Sequence, residues 1–178
     1  RLCSRTGCSP AGWSQTMTTD TEIVLLRAED TMQAATLHSR CFEGHSSWSA
    51  KDMRATLELT TTLALGLEAD RDLAGLLLVQ RVAPDAEILT ICVDPDHRRK
   101  GLAQALFGHA LTLLGPHGVD RLLLDVDADN GGAISFYERN GFSRDGVRKN
   151  YYQRDDGQRS DAVLMSRSLA GQISKSKA

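Results

Sequence analysis

The sequence predicts an α/β fold: one domain with a mixed, mostly antiparallel sheet flanked by helices. Three observations predict it. Strand-like and helix-like segments alternate along the chain with only short turns between them. The apolar runs 63–68 and 73–79 fold back on each other around a polar turn at 68–72. A strand, a long amphipathic helix and a second strand follow between about residues 86 and 126, a crossover unit that makes one pair of strands parallel.

The elements follow in order. Residues 23–28 form a strand, and 31–41 a helix with Met32, Ala35 and Leu37 on its inner side. Residues 42–49 are an irregular connection. Ser49 with Asp52 three residues later has capping-box spacing and opens a second helix that ends near Glu58. After the 63–68 and 73–79 hairpin, Pro84-Asp85 turns the chain into a third strand, 86–93. From 101 to 114 the residues Ala103, Leu106, Phe107, Ala110, Leu111 and Leu114 recur at three and four, giving a helix of about four turns. Gly115-Pro116 ends it, and 122–126 is a buried strand parallel to 86–93. Asn130 caps a short helix through Arg139, and Gly141 ends that helix by taking a positive φ. Strands 142–153 and 161–168 close the domain around a polar turn at 154–157.

The 178 residues, 41% of them hydrophobic, suffice for one core, and a net charge of -2 supplies no global basic field for nucleic acid or an anionic membrane. No segment has the roughly 20 apolar residues of a membrane span. Cys3, Cys8, Cys41 and Cys92 show neither zinc spacing nor a disulfide framework, so they are expected to be reduced thiols in a cytoplasmic protein. Residues 1–16 lack the apolar region of a secretory signal and are expected to be a disordered leader, with native translation beginning at Met17. The domain is then 17–169, and the polar stretch 170–178 a flexible tail.

Chemistry concentrates in the turn between the strand 86–93 and the long helix. Asp94-Pro95-Asp96-His97-Arg98-Arg99-Lys100-Gly101-Leu102-Ala103 places three cations and two small residues where a helix presents unsatisfied amides and the positive end of its dipole. A pyrophosphate fits there. A solvated basic turn would read the same way in isolation, and the Gly-Lys-Ser/Thr ending of a Walker A loop is absent. His97, His109 and His117 lack metal-ligand spacing, so no metal is expected, and Cys92 reads as a packing residue.

Context decides between these readings. The segment Arg98-x-x-Gly101-x-Ala103 after the strand 87–93, then Asp125-Val126-Asp127-Ala128-Asp129-Asn130 and Phe136-Tyr137-Glu138-Arg139-Asn140-Gly141-Phe142, resembles the GNAT superfamily of N-acetyltransferases. Arg148-Lys149-Asn150-Tyr151-Tyr152 narrows the likeness to the RimI-type ribosomal-protein alanine acetyltransferases. The resemblance runs from about Ile23 to Leu169. It implies a splayed sheet, acetyl-CoA as cosubstrate and a peptide or protein N-terminus as acceptor, which in the RimI-type enzymes is that of a ribosomal protein. It implies that the backbone of Ile91, Cys92 and Val93 holds the pantetheine arm. Arg98 heads the phosphate-binding motif, and Arg99, Lys100, Gly101, Leu102, Ala103 and Gln104 cradle the pyrophosphate, with Asn130 also touching the cofactor. Asp125 stands where the family has its base and Tyr137 where it has its proton donor. Trp48, Tyr151 and Tyr152 flank the acceptor groove.

Two departures from the pattern stand out. Asp125 replaces the usual Glu, a side chain shorter by about 1.5 Å, so Asp127, Glu87 or a backbone carbonyl with water are alternative routes for the proton. Ser47-Trp48-Ser49 lacks the proline of Pro-Trp-Ser. A small amine or a lysine side chain as acceptor, or a CoA-binding module with weak chemistry, also fits these residues.

Overall fold

The computed structural model describes residues 21–42, 47–154 and 157–170. The expected leader lies outside the described residues, as do most of the expected tail and parts of the connection at 43–46 and of the turn at 155–156. The order is β1 (Thr21–Leu25), α1 (Thr31–Cys41), α2 (Ala50–Leu57), β2 (Thr62–Ala69), β3 (Asp72–Val82), β4 (Asp85–Val93), α3 (Leu102–Leu114), β5 (Arg121–Asp127), α4 (Gly131–Arg139), β6 (Ser143–Gln153) and β7 (Arg159–Ser168). The strands form one seven-stranded sheet in the order β1-β2-β3-β4-β5-β7-β6. Every neighbouring pair is antiparallel except β4 and β5.

The sheet is covered on both faces. Leu106, Phe107, Ala110 and Leu114 of α3, with Ile134 and Tyr137 of α4, pack onto Leu65, Leu77, Ile88, Leu124 and Met165. Ala34 and Leu37 of α1 and Met53 of α2 pack onto Ala64, Leu76, Leu78 and Cys92 on the other face. That is why β3 reads as an almost unbroken apolar run: alternate residues serve two cores. Phe107 anchors the larger core at 1% exposure, with Phe136 and Phe142 at 6.1 and 5.9 Å between ring centroids. Burying such a ring contributes roughly 1.5–3 kcal/mol.

The parallel pair is the feature that makes a site. β4 and β5 pair only at Asp85–Arg121, Ala86–Leu122 and Glu87–Leu123. The cause lies on the other edge of β4. Its register with β3 jumps from Leu78↔Thr90 to Val79↔Ile88, so Leu89 is an extra, bulged residue. A bulge bends its strand and disrupts the local ladder. Here it sits just where β4 parts from β5, leaving a cleft between the C-terminal halves of the two strands.

The structure corrects one face of the sequence reading. Met32 is 67% exposed, whereas Leu37 is buried and Ala35 partly buried as expected, and Thr31, Ala34 and His38 complete the inner face of α1. The inward stripe is rotated by about one residue, because His38, a polar residue, is fully partnered inside. Its Nδ1 accepts from the Trp48 N–H at 3.2 Å, and its Nε2 lies 3.3 Å from Thr90 Oγ1. Burial pushes its pKa down to about 4, so it sits neutral. Other expectations hold: Ser49 caps α2, Asn130 caps α4 by accepting from Ala133 N at 3.0 Å, and Gly141 takes φ 81°.

Candidate active site

The β4–α3 turn is built by short-range contacts. Asp94, 3% exposed, accepts from Asp96 N at 3.0 Å and pairs with Arg40 of α1 at 2.9 Å, holding the end of β4 against α1. Arg98 Nε donates to the Val93 carbonyl at 3.2 Å. Arg99 and Gly101 then take positive φ of 61° and 80°, which turns successive amides toward one side, a geometry that suits an anion. Gly101 is the N-cap of α3 and no side chain caps the helix. The amides of Leu102, Ala103 and Gln104 therefore have no intrahelical acceptor, since the ladder begins with Ala105 N to Gly101 O.

A cavity of about 360 Å³ opens at this helix end. Its walls include Val93, Arg98, Arg99, Gly101, Leu102, Ala103 and Gln104, all of them expected from sequence. His97, Phe136 and Arg139 complete it and were not anticipated. Their signal was faint: Phe136 precedes the expected Tyr137, and Arg139 follows one turn later on the same helix. Gln104 and Asn140 exchange reciprocal amide hydrogen bonds of 2.9 and 3.0 Å, tying the start of α3 to the end of α4. Lys100, exposed, and Asn130, at the cap of α4, do not line this cavity. Ile91 faces the α3/α4 core and Cys92 the α1/α2 core, so only their backbone can border the cleft.

On the facing strand, Leu122, Leu124 and Val126 are buried in the α3/α4 core, and Leu123, Asp125 and Asp127 alternate to the opposite face. Asp125 Oδ2 accepts from Arg148 Nη1 at 3.0 Å, and the Tyr152 hydroxyl donates to the Asp125 carbonyl at 3.2 Å. Arg148 also lies 4.6 Å from the Tyr151 ring centroid, so β6 delivers three neighbouring residues to one spot. Asp127 is committed elsewhere: it accepts from Ser160 Oγ at 2.8 Å and Asp129 N at 2.9 Å and pairs with Arg154. Glu87 is exposed at the closed end of the cleft. Trp48 packs against His38 on the α1/α2 face.

Tyr137 reaches the same region from the α4 side. It is 6% exposed, and burial, with a contribution from Tyr152, raises its pKa well above the ordinary phenol range. Tyr152 is pushed up to about 12 by burial and by Asp125. Both hydroxyls therefore hold their protons at neutral pH. β4 and β5 part beside an uncapped helix start lined with arginines, a setting that suits a phosphate-bearing ligand.

The family model described as "Acetyltransferase (GNAT) family" matches residues 31–142. The chain belongs to the GNAT acetyltransferase family. It is an N-acetyltransferase, of the RimI-like kind within that family. It is 38% identical over 119 residues, 67% of this chain and 79% of the relative, to the [ribosomal protein bS18]-alanine N-acetyltransferase of Escherichia coli K12. The crystal structure of the Escherichia coli ribosomal-protein-S18-alanine N-acetyltransferase superposes with a TM-score of 0.77 at 34% identity, covering 85% of this chain and 97% of that one. An N-acetyltransferase of Thermoplasma acidophilum solved with coenzyme A shares the fold at 21% identity, with a TM-score of 0.69 and coverage of 84% and 99%. GNAT enzymes use acetyl-CoA. Among the described residues, no helix is long and apolar enough to cross a membrane and no group of three or more His, Cys, Asp or Glu could hold a metal.

Proposed function

We propose that this GNAT enzyme acetylates the N-terminal amine of a protein in the cytoplasm, with a ribosomal protein beginning with Ala as its acceptor. The observation that carries the site assignment is the short β4–β5 ladder. It ends at Glu87–Leu123 and leaves a cleft with the uncapped α3 N-terminus on one side and Asp125 on the other. The acceptor class is supported by the likeness to the alanine acetyltransferase.

In this reading the amides of Leu102, Ala103 and Gln104, with Arg98 and Arg99, hold the pyrophosphate, and the backbone of Ile91 to Val93, freed from β5, holds the pantetheine arm. Bound acetyl-CoA supplies the thioester that the amine attacks. An α-amine has a reference pKa of about 7.7–8.0 and must shed a proton first. Asp125 receives it, directly or through one water, and Asp127 is too fully engaged to compete. The entering ammonium replaces Arg148 on Asp125, exchanging one cation for another. Arg148 is half-exposed, so solvent screens the displaced pair to on the order of 1 kcal/mol. Tyr137 protonates the departing thiolate.

The test is CoA release with acetyl-CoA and peptides bearing free Ala, Ser or Met termini, a blocked amine, or small-molecule amines instead, with mass spectrometry locating the acetyl group. Transfer to the free Ala terminus is expected, with Asp125→Asn slowing it by about 10²–10⁴. Turnover confined to small amines would refute the acceptor, and full activity of Asp125→Asn would refute the base.

A further inference from the structure

Two thiols that acetyl transfer leaves unused stand together behind β4. Cys41 is the last residue of α1 and partly exposed, and Cys92 on β4 is buried at 7%. Contacts on either side set them face to face. His38 meets Thr90 at 3.3 Å, two residues before Cys92, and Arg40 meets Asp94 at 2.9 Å, two residues after it. Both thiols belong to the apolar cluster between α1, α2 and the sheet.

Their surroundings make them chemically unequal. Hydrogen bonding from Cys92 and the nearby Arg98 guanidinium lower the Cys41 pKa, against the opposing effects of burial and Asp94. The same thiol–thiol contact, with burial, raises Cys92. A partly exposed thiol whose ionisation is favoured by a neighbouring arginine, backed by a buried thiol whose ionisation is disfavoured, is the arrangement of an attacking and a resolving cysteine.

We propose that Cys41 and Cys92 form a reversible oxidation site that a hydroperoxide converts to an intramolecular disulfide. The Cys41 thiolate attacks the terminal peroxide oxygen, the O–O bond breaks, and the departing oxygen takes up a proton, leaving Cys41 as a sulfenic acid. The Cys92 sulfur then attacks Cys41 Sγ, and its proton leaves with the hydroxyl as water. Two thiols lose two electrons, and the peroxide is reduced to water, or to water and an alcohol. The thiol chemistry needs neither Asp125 nor Tyr137, although the Cys92 backbone and Arg98 border the cofactor cleft. The bond pins the end of α1 to the strand that borders the cleft, next to Arg98.

The test uses the full chain with Cys3→Ser and Cys8→Ser, so that only the pair remains. The reduced protein is treated with a small excess of hydrogen peroxide, free thiols are alkylated, and a non-reducing digest is examined by mass spectrometry. A linked Cys41–Cys92 peptide pair that dithiothreitol releases is expected. Cys92→Ser should abolish the link and let a 1,3-diketone trap the sulfenic acid on Cys41. Because the link closes the chain between residues 41 and 92, the oxidised form should melt higher, by on the order of 10 °C. Two alkylatable thiols persisting after peroxide treatment, or a link that forms only in urea, would overturn the proposal.

Discussion

Gly101 offers a test in which folding strain and ligand recognition separate cleanly. Its φ of 80° lies in the left-handed region, and a Cβ built there meets nothing within 4 Å. Gly101→Ala therefore meets no clash within the protein, only conformational strain. The left-handed conformation costs an L-residue about 1–2 kcal/mol, partly offset by about 0.4–1 kcal/mol from restricting the unfolded chain. The net loss is about 1 kcal/mol, a fall in Tm of about 2–4 °C for a domain of this size. Gly108, in the interior of α3, also has nothing within 4 Å of its Cβ and no positive φ. Gly108→Ala should raise Tm by a similar amount, because Ala is the better helix former by about 0.5–1 kcal/mol. The variants should part on acetyl-CoA, titrated by calorimetry. The Gly101→Ala methyl stands at the helix start to which the proposed function assigns the phosphates and disturbs the turn that aims the amides, so affinity should fall at least about tenfold, or 1.4 kcal/mol. Gly108→Ala should bind as the parent does. Unchanged acetyl-CoA affinity in a folded Gly101→Ala protein would refute the placing of the pyrophosphate at this helix N-terminus.

Tyr137→Phe keeps the ring that packs on Phe136 and Phe142 at centroid distances of 5.4 and 5.5 Å. It should leave Tm and acetyl-CoA affinity nearly unchanged while lowering kcat by about 10²–10⁴, and an unchanged kcat would remove the proton donor. Because burial raises the Tyr137 pKa, no fall in rate from its ionisation should appear in a parent pH profile up to about pH 10. His38 should make folding pH-sensitive. Its folded pKa, about 4, lies below the unfolded 6.5, so the unfolded chain binds more protons between those values. That contribution is complete above pH 6.5 and is lost as pH falls toward 4, by about 2–3 kcal/mol. Urea titrations of parent and His38→Gln across this window should show a steeper slope in the parent, the variant keeping only the part due to paired carboxylates such as Asp85 and Asp161.

Much of the fold is written in short-range pattern. The three-and-four spacing of Leu106, Phe107, Ala110 and Leu114, the cap at Asn130, the stop at Gly141 and the hairpins depend on neighbours close in sequence, and these elements stand where the chain predicts them. The same locality explains why the lining of the cavity at the β4–α3 turn was legible: Arg98, Arg99, Gly101 and Ala103 belong to one strand–turn–helix connection.

What only the tertiary structure decided is set by register between distant segments. The alternation of β5 says that Asp125 leaves the core, but not that Arg148, 23 residues away, pairs with it while Tyr152 holds its carbonyl. The bulge at Leu89 is invisible as composition, yet it bends β4 and opens the cleft. Periodicity allowed Met32 inside α1, and the structure chose His38 because Trp48 and Thr90 satisfy both its ring nitrogens. Cys41 and Cys92 meet only because α1 lies across the end of β4. Local propensity and burial period determine elements one at a time, whereas the partners of a buried polar group depend on how those elements dock.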